Sequence, residues 1–164
     1  MILTSHAIIG SAISNLVPDA PAFGFVLAFA GHYLTDMIPH YDYNIDNFID
    51  HDTKAVNSIF TNVKARLSFL IVVSDFIFAL FLTYLIFVRD EKSLYATLAG
   101  AIGGVLPDLL QFFCYYFKKW PWTAIQKIHK FFHNKDEMRD RPVRGFVTQI
   151  IVVFFVLFVY FLIK

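Results

Sequence analysis

Eight residues in this chain have the types and spacing of metal ligands. His32, Asp36, His40 and Asp42 follow one another at the end of one apolar segment. Asp108 follows Pro107 at the end of another, His129 and His133 lie four apart in a third, and His6 stands near the start. Imidazole nitrogens and carboxylate oxygens, with no thiolate among them, suit Zn²⁺, Mn²⁺ or Fe²⁺. Residues four apart on a helix project side by side. His32 and Asp36, Asp36 and His40 if the last turn holds, and His129 and His133 can therefore each present two ligands to one ion, as the His-x3-His of zinc proteases does. The set is larger than one mononuclear site needs. It fits one ion with supporting residues and a general base, or two ions, an arrangement common in phosphoester hydrolysis. Asp36 and Asp42 are the candidates for the base. Blander roles exist for each pair: His32 and Asp36 as a buried hydrogen-bonded contact between helices, His129 and His133 as the polar part of an interfacial helix. Those roles explain the pairs singly and leave their convergence unexplained.

The elements that must position these residues are strongly apolar. The chain has 164 residues, 57% hydrophobic and 16% charged, with mean hydropathy +0.57. Soluble domains carry about 25% charged residues, so an all-α integral membrane bundle is expected, with 1–164 forming one domain. Arg66–Val88 and Val143–Ile163 are long enough to cross a hydrocarbon core, which takes about 20 residues. Pro142 opens the second in the favoured helix-start position. Three further apolar segments are interrupted: Ser5–Val17 ends at Pro18-Asp19, Pro21–Ile38 at Pro39, and Ser93–Leu106 at Pro107. Proline or the residue before it is expected to stop each helix. That makes about five apolar helices. Trp120–His133, with Trp122, Ile125, Ile128, His129, Phe132 and His133 on one arc and Lys127 and Lys130 opposite, reads as a sixth, amphipathic helix lying in the headgroup plane. Gly10, Ser11, Ala12 and Ser14, and again Gly100, Ala101, Gly103 and Gly104, are small residues that let membrane helices approach closely. The stretches 11–19 and 100–108 resemble each other as a weak repeat, each closed by an apolar-Pro-Asp step.

If the five helices alternate in direction, His6, Asp36, His40, Asp108, His129 and His133 fall on one side of the membrane. Asp19 falls on the other and is excluded from the site. Eleven of the 14 Lys and Arg residues lie on the site side (Lys54, Lys64, Arg66, Lys118, Lys119, Lys127, Lys130, Lys135, Arg139, Arg141 and Arg144), against Arg89, Lys92 and Lys164 opposite. The positive-inside rule then places the site in the cytoplasm. These cations are read mainly as topology signals and contacts to anionic headgroups, with Arg141 and Arg144 best placed to hold a substrate phosphate.

Asp75, midway along the clearest spanning helix, is an expensive residue there. It reads either as a deep ligand or proton relay facing the site, or as a protonated Asp in a packing contact, hydrogen-bonded to a neighbouring helix. His51 and Asp52 in the polar linker Tyr41–Val63 are secondary candidates, and Asp52–Phe60 can form a short helix. Asp42-x-Asn44-x-Asp46 lacks the Gly and Glu of an EF-hand and is rejected. Cys114, the only cysteine, excludes an intrachain disulfide and a cysteine zinc site. The apolar stretch Ala7–Val17 lacks the basic flank of a signal peptide and reads as a retained helix. Net charge is +1, and no nucleic-acid binding is expected.

Taken together, Thr4-Ser5-His6-Ala7, Gly31-His32-x3-Asp36-x2-Pro39-His40-x-Asp42-Tyr43, Gly103-Gly104-x2-Pro107-Asp108 and Phe132-His133-Asn134 resemble the predicted membrane-bound metal-dependent hydrolases, a family that includes the inner-membrane, LexA-binding-associated type. The resemblance spans most of the chain. It implies a prokaryotic multi-helix membrane protein with a His/Asp metal site, its ligands falling on His6, His32, Asp36, His40, Asp108 and His133. A fainter likeness is to the zinc-dependent phospholipase C and nuclease group. The family's Arg-x3-Thr-His-Ser type motif is missing here, where Asp19-Ala20-Pro21 stands, so the chain resembles a divergent branch.

The expectation is a metal-dependent hydrolase of the cytoplasmic membrane. One or two ions, most simply zinc, would activate water near neutral pH against a phosphoester or lipid-type substrate at the membrane face, with membrane lipids as neighbours. The alternative is a non-enzymatic membrane scaffold or adaptor whose His/Asp cluster or metal is structural. Transport would need polar residues threading the membrane, and only Asp75 and Asp19 lie beyond the site.

Overall fold

The computed structural model describes residues 1–43, 60–134, 138 and 140–164. Most of the linker, with His51, Asp52, the Asn44 and Asp46 positions and the expected Asp52–Phe60 helix, lies outside the described residues. Among the described residues six helices follow one another: α1 Leu3–Ser14, α2 Pro21–Asp36, α3 Val63–Phe87, α4 Glu91–Phe117, α5 Trp122–Phe132 and α6 Pro142–Ile163. No strand occurs among them. Three segments of the described residues are long and apolar enough to cross a membrane: Val63–Phe87, Glu91–Gln111 and Pro142–Ile163. The first and last turn large side chains outward, including Leu70, Ile77, Phe81, Phe154, Phe158 and Leu162, as a hydrocarbon solvent requires. α1 and α2 have only 12 and 16 residues, short of the roughly 20 that span a bilayer core.

α1 is the hub. Eleven of its 12 residues are buried, and it packs against α2, α3, α4 and α6. Its small residues make this possible. A Cβ added to Gly10 would lie 2.3 Å from the Gly100 carbonyl oxygen, and one added to Gly104 would lie 2.4 Å from that of His6. α1 and α4 therefore cross backbone to backbone, four residues from His6 on one helix and four from Asp108 on the other.

A helix start buried in a membrane protein leaves its first N–H groups without water. α1 has no capping side chain of its own, and three other elements supply the acceptors. Ile2 N–H donates to Gln149 Oε1 of α6 at 3.0 Å, Leu3 N–H to the Tyr43 hydroxyl at 3.2 Å, and Thr4 N–H to Asp75 Oδ2 of α3 at 3.0 Å. The Thr4 hydroxyl donates to Asp75 Oδ1 at 2.6 Å, and the Tyr43 hydroxyl makes a short bond to Oδ2. Of the two roles open to Asp75, the packing contact describes these bonds. Its carboxylate caps a helix N-terminus, where negative charge is favoured.

The proline at 107 departs from expectation. It lies inside α4, which continues for ten residues beyond it, so Asp108 projects from mid-helix rather than from a helix end. Proline withholds the bond to the carbonyl four residues back, but neighbouring helices can serve carbonyls freed in this way. His32 of α2 donates to the Gly104 carbonyl, next to the Gly103 carbonyl that Pro107 frees, at 2.7 Å. The likeness between 11–19 and 100–108 does not extend to structure. α1 stops at Ser14, and Asp19 lies past its end in an exposed ion pair with Lys92 at 2.6 Å. α2 closes at Asp36, one turn before Pro39, so His40 is not on the helix with Asp36. The amphipathic helix occupies Trp122–Phe132, within the expected Trp120–His133. His129 is buried on it, and Ile128 and Phe131 are exposed.

Candidate metal centre

α1, α2, α4, α5 and the segment after α2 bring the eight candidate ligands into one buried cluster. His6, His32, Asp36 and Asp108 have donor atoms within 4.8 Å of one another, as do Asp36, His129 and His133, and also His40, Asp42 and His133. Asp36 is central. Its Oδ1 lies 3.1 Å from His6 Nε2, 3.2 Å from the Met1 amine and 3.8 Å from His40 Nε2, and its Oδ2 lies 3.0 Å from His32 Nε2 and 3.5 Å from His129 Nε2. Asp108 faces His32, His129 and His6 at 3.6, 3.7 and 3.8 Å.

The local sequence explains the convergence. His32 and Asp36 are one turn apart on the buried face of α2. Asn134 clamps the end of α5 to the end of α2: its N–H donates to the Asp36 carbonyl at 2.8 Å and its side-chain amide to the Met37 carbonyl at 2.8 Å. That puts His133, at the C-cap of α5, beside the segment that leaves α2. Gln149 of α6 donates to the Tyr41 carbonyl at 2.9 Å, Tyr41 stacks on Phe146, and Gly145 leaves room for the Tyr41 backbone, which holds His40 and Asp42 in place.

The ring orientations decide what the cluster can bind. His32 Nδ1 faces the Gly104 carbonyl at 2.7 Å, His40 Nδ1 the Ile38 carbonyl at 2.6 Å and His133 Nδ1 the Asn134 carbonyl at 2.9 Å. A carbonyl only accepts, so each Nδ1 carries the proton. His6 Nδ1 faces the Thr35 hydroxyl at 3.4 Å, which has given its own proton to the His32 carbonyl at 2.8 Å. The neutral rings of His6, His32 and His40 therefore point an unprotonated Nε2 inward. The Nε2 atoms of His6, His32, His40 and His129, together with Asp36 Oδ2, have no hydrogen-bond partner. Lone pairs facing carboxylates in a buried space repel unless a cation lies between them. A metal-ligating histidine typically donates its other ring N–H to a carbonyl in this way.

The centre is enclosed but not sealed. His6, Asp36, His32, His40 and His129 are 2% exposed or less. Asp108, Asp42 and His133 keep 24%, 26% and 13% of their side chains accessible, and Tyr33 lies against His32 and His129 at the rim. In the loop and on α5, burial pulls His40 and His129 down to a pKa of about 4. Burial also opposes charge on His133, but Asp42, 3.2 Å from its Nε2, outweighs it and lifts the ring to about 9. Burial resists ionisation of Asp42 too, yet the Met1 amine and His133 hold its carboxyl well below the usual range.

Sequence reasoning assigned Asp36 to catalysis as well as to binding. At 1% exposure and ringed by imidazoles, it has the position of a ligand. Asp42, accessible and paired with His133, has the better position for a base. Thr35, Gln149 and the Gly104 carbonyl were not singled out from the sequence, and Asn134 only as the last residue of the Phe132-His133-Asn134 motif. Thr35 left a signal, three residues after His32 on the same helix face. No family model, curated protein or solved structure matches the chain.

Proposed function

We propose that this chain is a membrane-embedded, metal-dependent hydrolase, a divergent relative of the membrane-bound metal-dependent hydrolases it resembles. The observation that carries the metal is the set of rings of His6, His32 and His40, each with Nδ1 tied to a carbonyl or hydroxyl and Nε2 bare and aimed at Asp36 or its neighbours. His6, His32, Asp36 and Asp108 would hold the ion, with His129 beside Asp36 and Asp108, and zinc, manganese or iron(II) fits the donors. A divalent ion supplies Lewis acidity and a way to draw a nucleophile from water near neutral pH. Asp42 accepts the proton at its accessible carboxylate, and His133 keeps that carboxylate oriented. The accessible edge formed by Asp108, Asp42 and His133 admits the substrate. A phosphoester of a lipid or of the headgroup surface suits this site, because the ion and the Lys- and Arg-rich flank stabilise phosphoryl charge. The excess of cations on the site side supports a cytoplasmic orientation in an inner membrane.

A scaffold with a structural ion is favoured by one observation, the near-complete burial of five of the eight side chains. Purified chain loaded with Zn²⁺ or Mn²⁺ and offered aryl phosphomonoesters, aryl phosphodiesters and phospholipid vesicles separates the two readings. The hydrolase hydrolyses one class in a metal-dependent manner, and His32→Ala with Asp36→Ala lowers the rate by about 1,000-fold, equivalent to about 4 kcal/mol of transition-state stabilisation. Metal-loaded protein inert toward every class supports the scaffold.

A further inference from the structure

The donors fall into two sets that one ion cannot serve. His6, His32, Asp36 and Asp108 close within 4.8 Å of one another, and so do His40, Asp42 and His133, yet the two sets share no residue. Ligand bonds to zinc from nitrogen or oxygen are about 2.0–2.2 Å, so two donors on one ion stand no more than about 4.4 Å apart. An ion seated among His6, His32 and Asp108 therefore leaves the second set unserved. That set repeats the bare nitrogen of the first at His40, and in it His133 is paired with Asp42. His40 is fully buried, its Nδ1 is tied to the Ile38 carbonyl at 2.6 Å, and its Nε2 has no hydrogen-bond partner. His133 has its Nδ1 on the Asn134 carbonyl at 2.9 Å and turns Nε2 toward Asp42 at 3.2 Å. The rings of His40 and His133 are 4.9 Å apart.

Asp36 joins the sets. Its two oxygens diverge, Oδ2 toward His32 and His129, and Oδ1 toward His6, the Met1 amine that donates to it at 3.2 Å and, at 3.8 Å, His40 Nε2; the second ion would take the place of that amine. It also closes within 4.8 Å with His129 and His133, the group lying between the other two. A carboxylate buried between two nests of imidazole has the position of a bridge.

We infer that the centre is dinuclear, with His40, Asp42 and His133 holding a second divalent ion and Asp36 shared between the two. This rests on the metal-binding reading above and extends it. Paired ions, about 3.5–4 Å apart in known two-metal sites, clamp both the attacking and the leaving oxygen of an in-line displacement at phosphorus. The substrate class that follows is a phosphoester whose phosphoryl oxygens span the two sets. In the loaded protein Asp42 is then a ligand rather than the base.

The test is the ion count of the full chain in detergent, loaded with Mn²⁺ alone and freed of excess, read by elemental analysis and low-temperature electron paramagnetic resonance. Two ions per chain and an exchange-coupled spectrum are expected. In His40→Ala with Asp42→Asn the count drops to one and the spectrum becomes that of isolated Mn²⁺. One ion per wild-type chain with an isolated-ion spectrum overturns the second site and leaves the first standing. No ion at all overturns the metal-binding reading and this one with it. Two ions retained by a folded double variant overturn the assignment to His40 and Asp42. The wild-type count and spectrum decide the matter even where the double variant fails to fold.

Discussion

Asp36→Asn abolishes the response of this protein to divalent metal. Asparagine keeps the shape of the side chain and removes its charge, so the effect isolates the electrostatic role of a carboxylate that is 1% exposed. In the wild type that carboxylate faces the rings of His6, His32, His40 and His129 between 3.0 and 3.8 Å. An ion present at 1,000 times its dissociation constant adds about 4 kcal/mol to stability by mass action, and chelation lowers the wild-type melting temperature on the order of 10 °C. In Asp36→Asn, metal affinity falls by more than about 100-fold, beyond what supporting residues of metal sites contribute, and chelator leaves the melting temperature unchanged. Thermal unfolding in detergent, with and without chelator, checks this. Asp108→Asn, at a more accessible position, gives the same pattern with less disturbance of the fold and serves where Asp36→Asn expresses poorly.

Gly100→Leu unfolds the α1–α4 crossing. A Cβ at position 100 lies 2.3 Å from the Gly10 carbonyl oxygen and 2.7 Å from the Ser11 Cα. Both are backbone atoms of a helix held on four sides, so no side chain can swing away. Overpacking in cores costs about 1–3 kcal/mol where side chains can give, and this site lies at or above the top of that range. The separation that relieves the clash also moves His6 from Asp108, so metal retention falls together with stability. Leu98→Ala, two residues away and 41% exposed, changes neither by more than about 0.5 kcal/mol. Melting temperature and metal content of the two variants side by side check the claim. Equal stability would mean that α1 and α4 do not cross at these glycines.

The clustered histidines and aspartates and the apolar segments were legible in the sequence because both follow from local spacing. His32 and Asp36 lie one turn apart within α2, and α3 and α6 stand within a few residues of where their hydropathy puts them. The supports were not legible, because each depends on which backbones meet. The carbonyl that orients His32 belongs to Gly104, 72 positions away. The amide that docks His133 belongs to Asn134, a motif residue whose docking role shows only once α5 lies against the end of α2. Pro107 misled because helix-breaking is a local rule, and α4 is held on either side of it by α1 and α2. His40 was placed on a helix turn that ends at Asp36, yet it lies by the same carboxylate from non-helical backbone. The cost of Asp75 was readable, but its use as a cap for α1 was not, since an α1 start at Leu3 in contact with α3 is a property of the packed bundle.

The central claim is that these imidazoles and carboxylates hold metal. Elemental analysis of detergent-purified wild type, beside His129→Ala with His133→Ala, tests it most directly. At least one equivalent of zinc, manganese or iron per chain in the wild type, reduced in the variant while helicity and elution volume are unchanged, is the result this account predicts. Wild-type protein that carries none, before and after reconstitution with each ion, would contradict it.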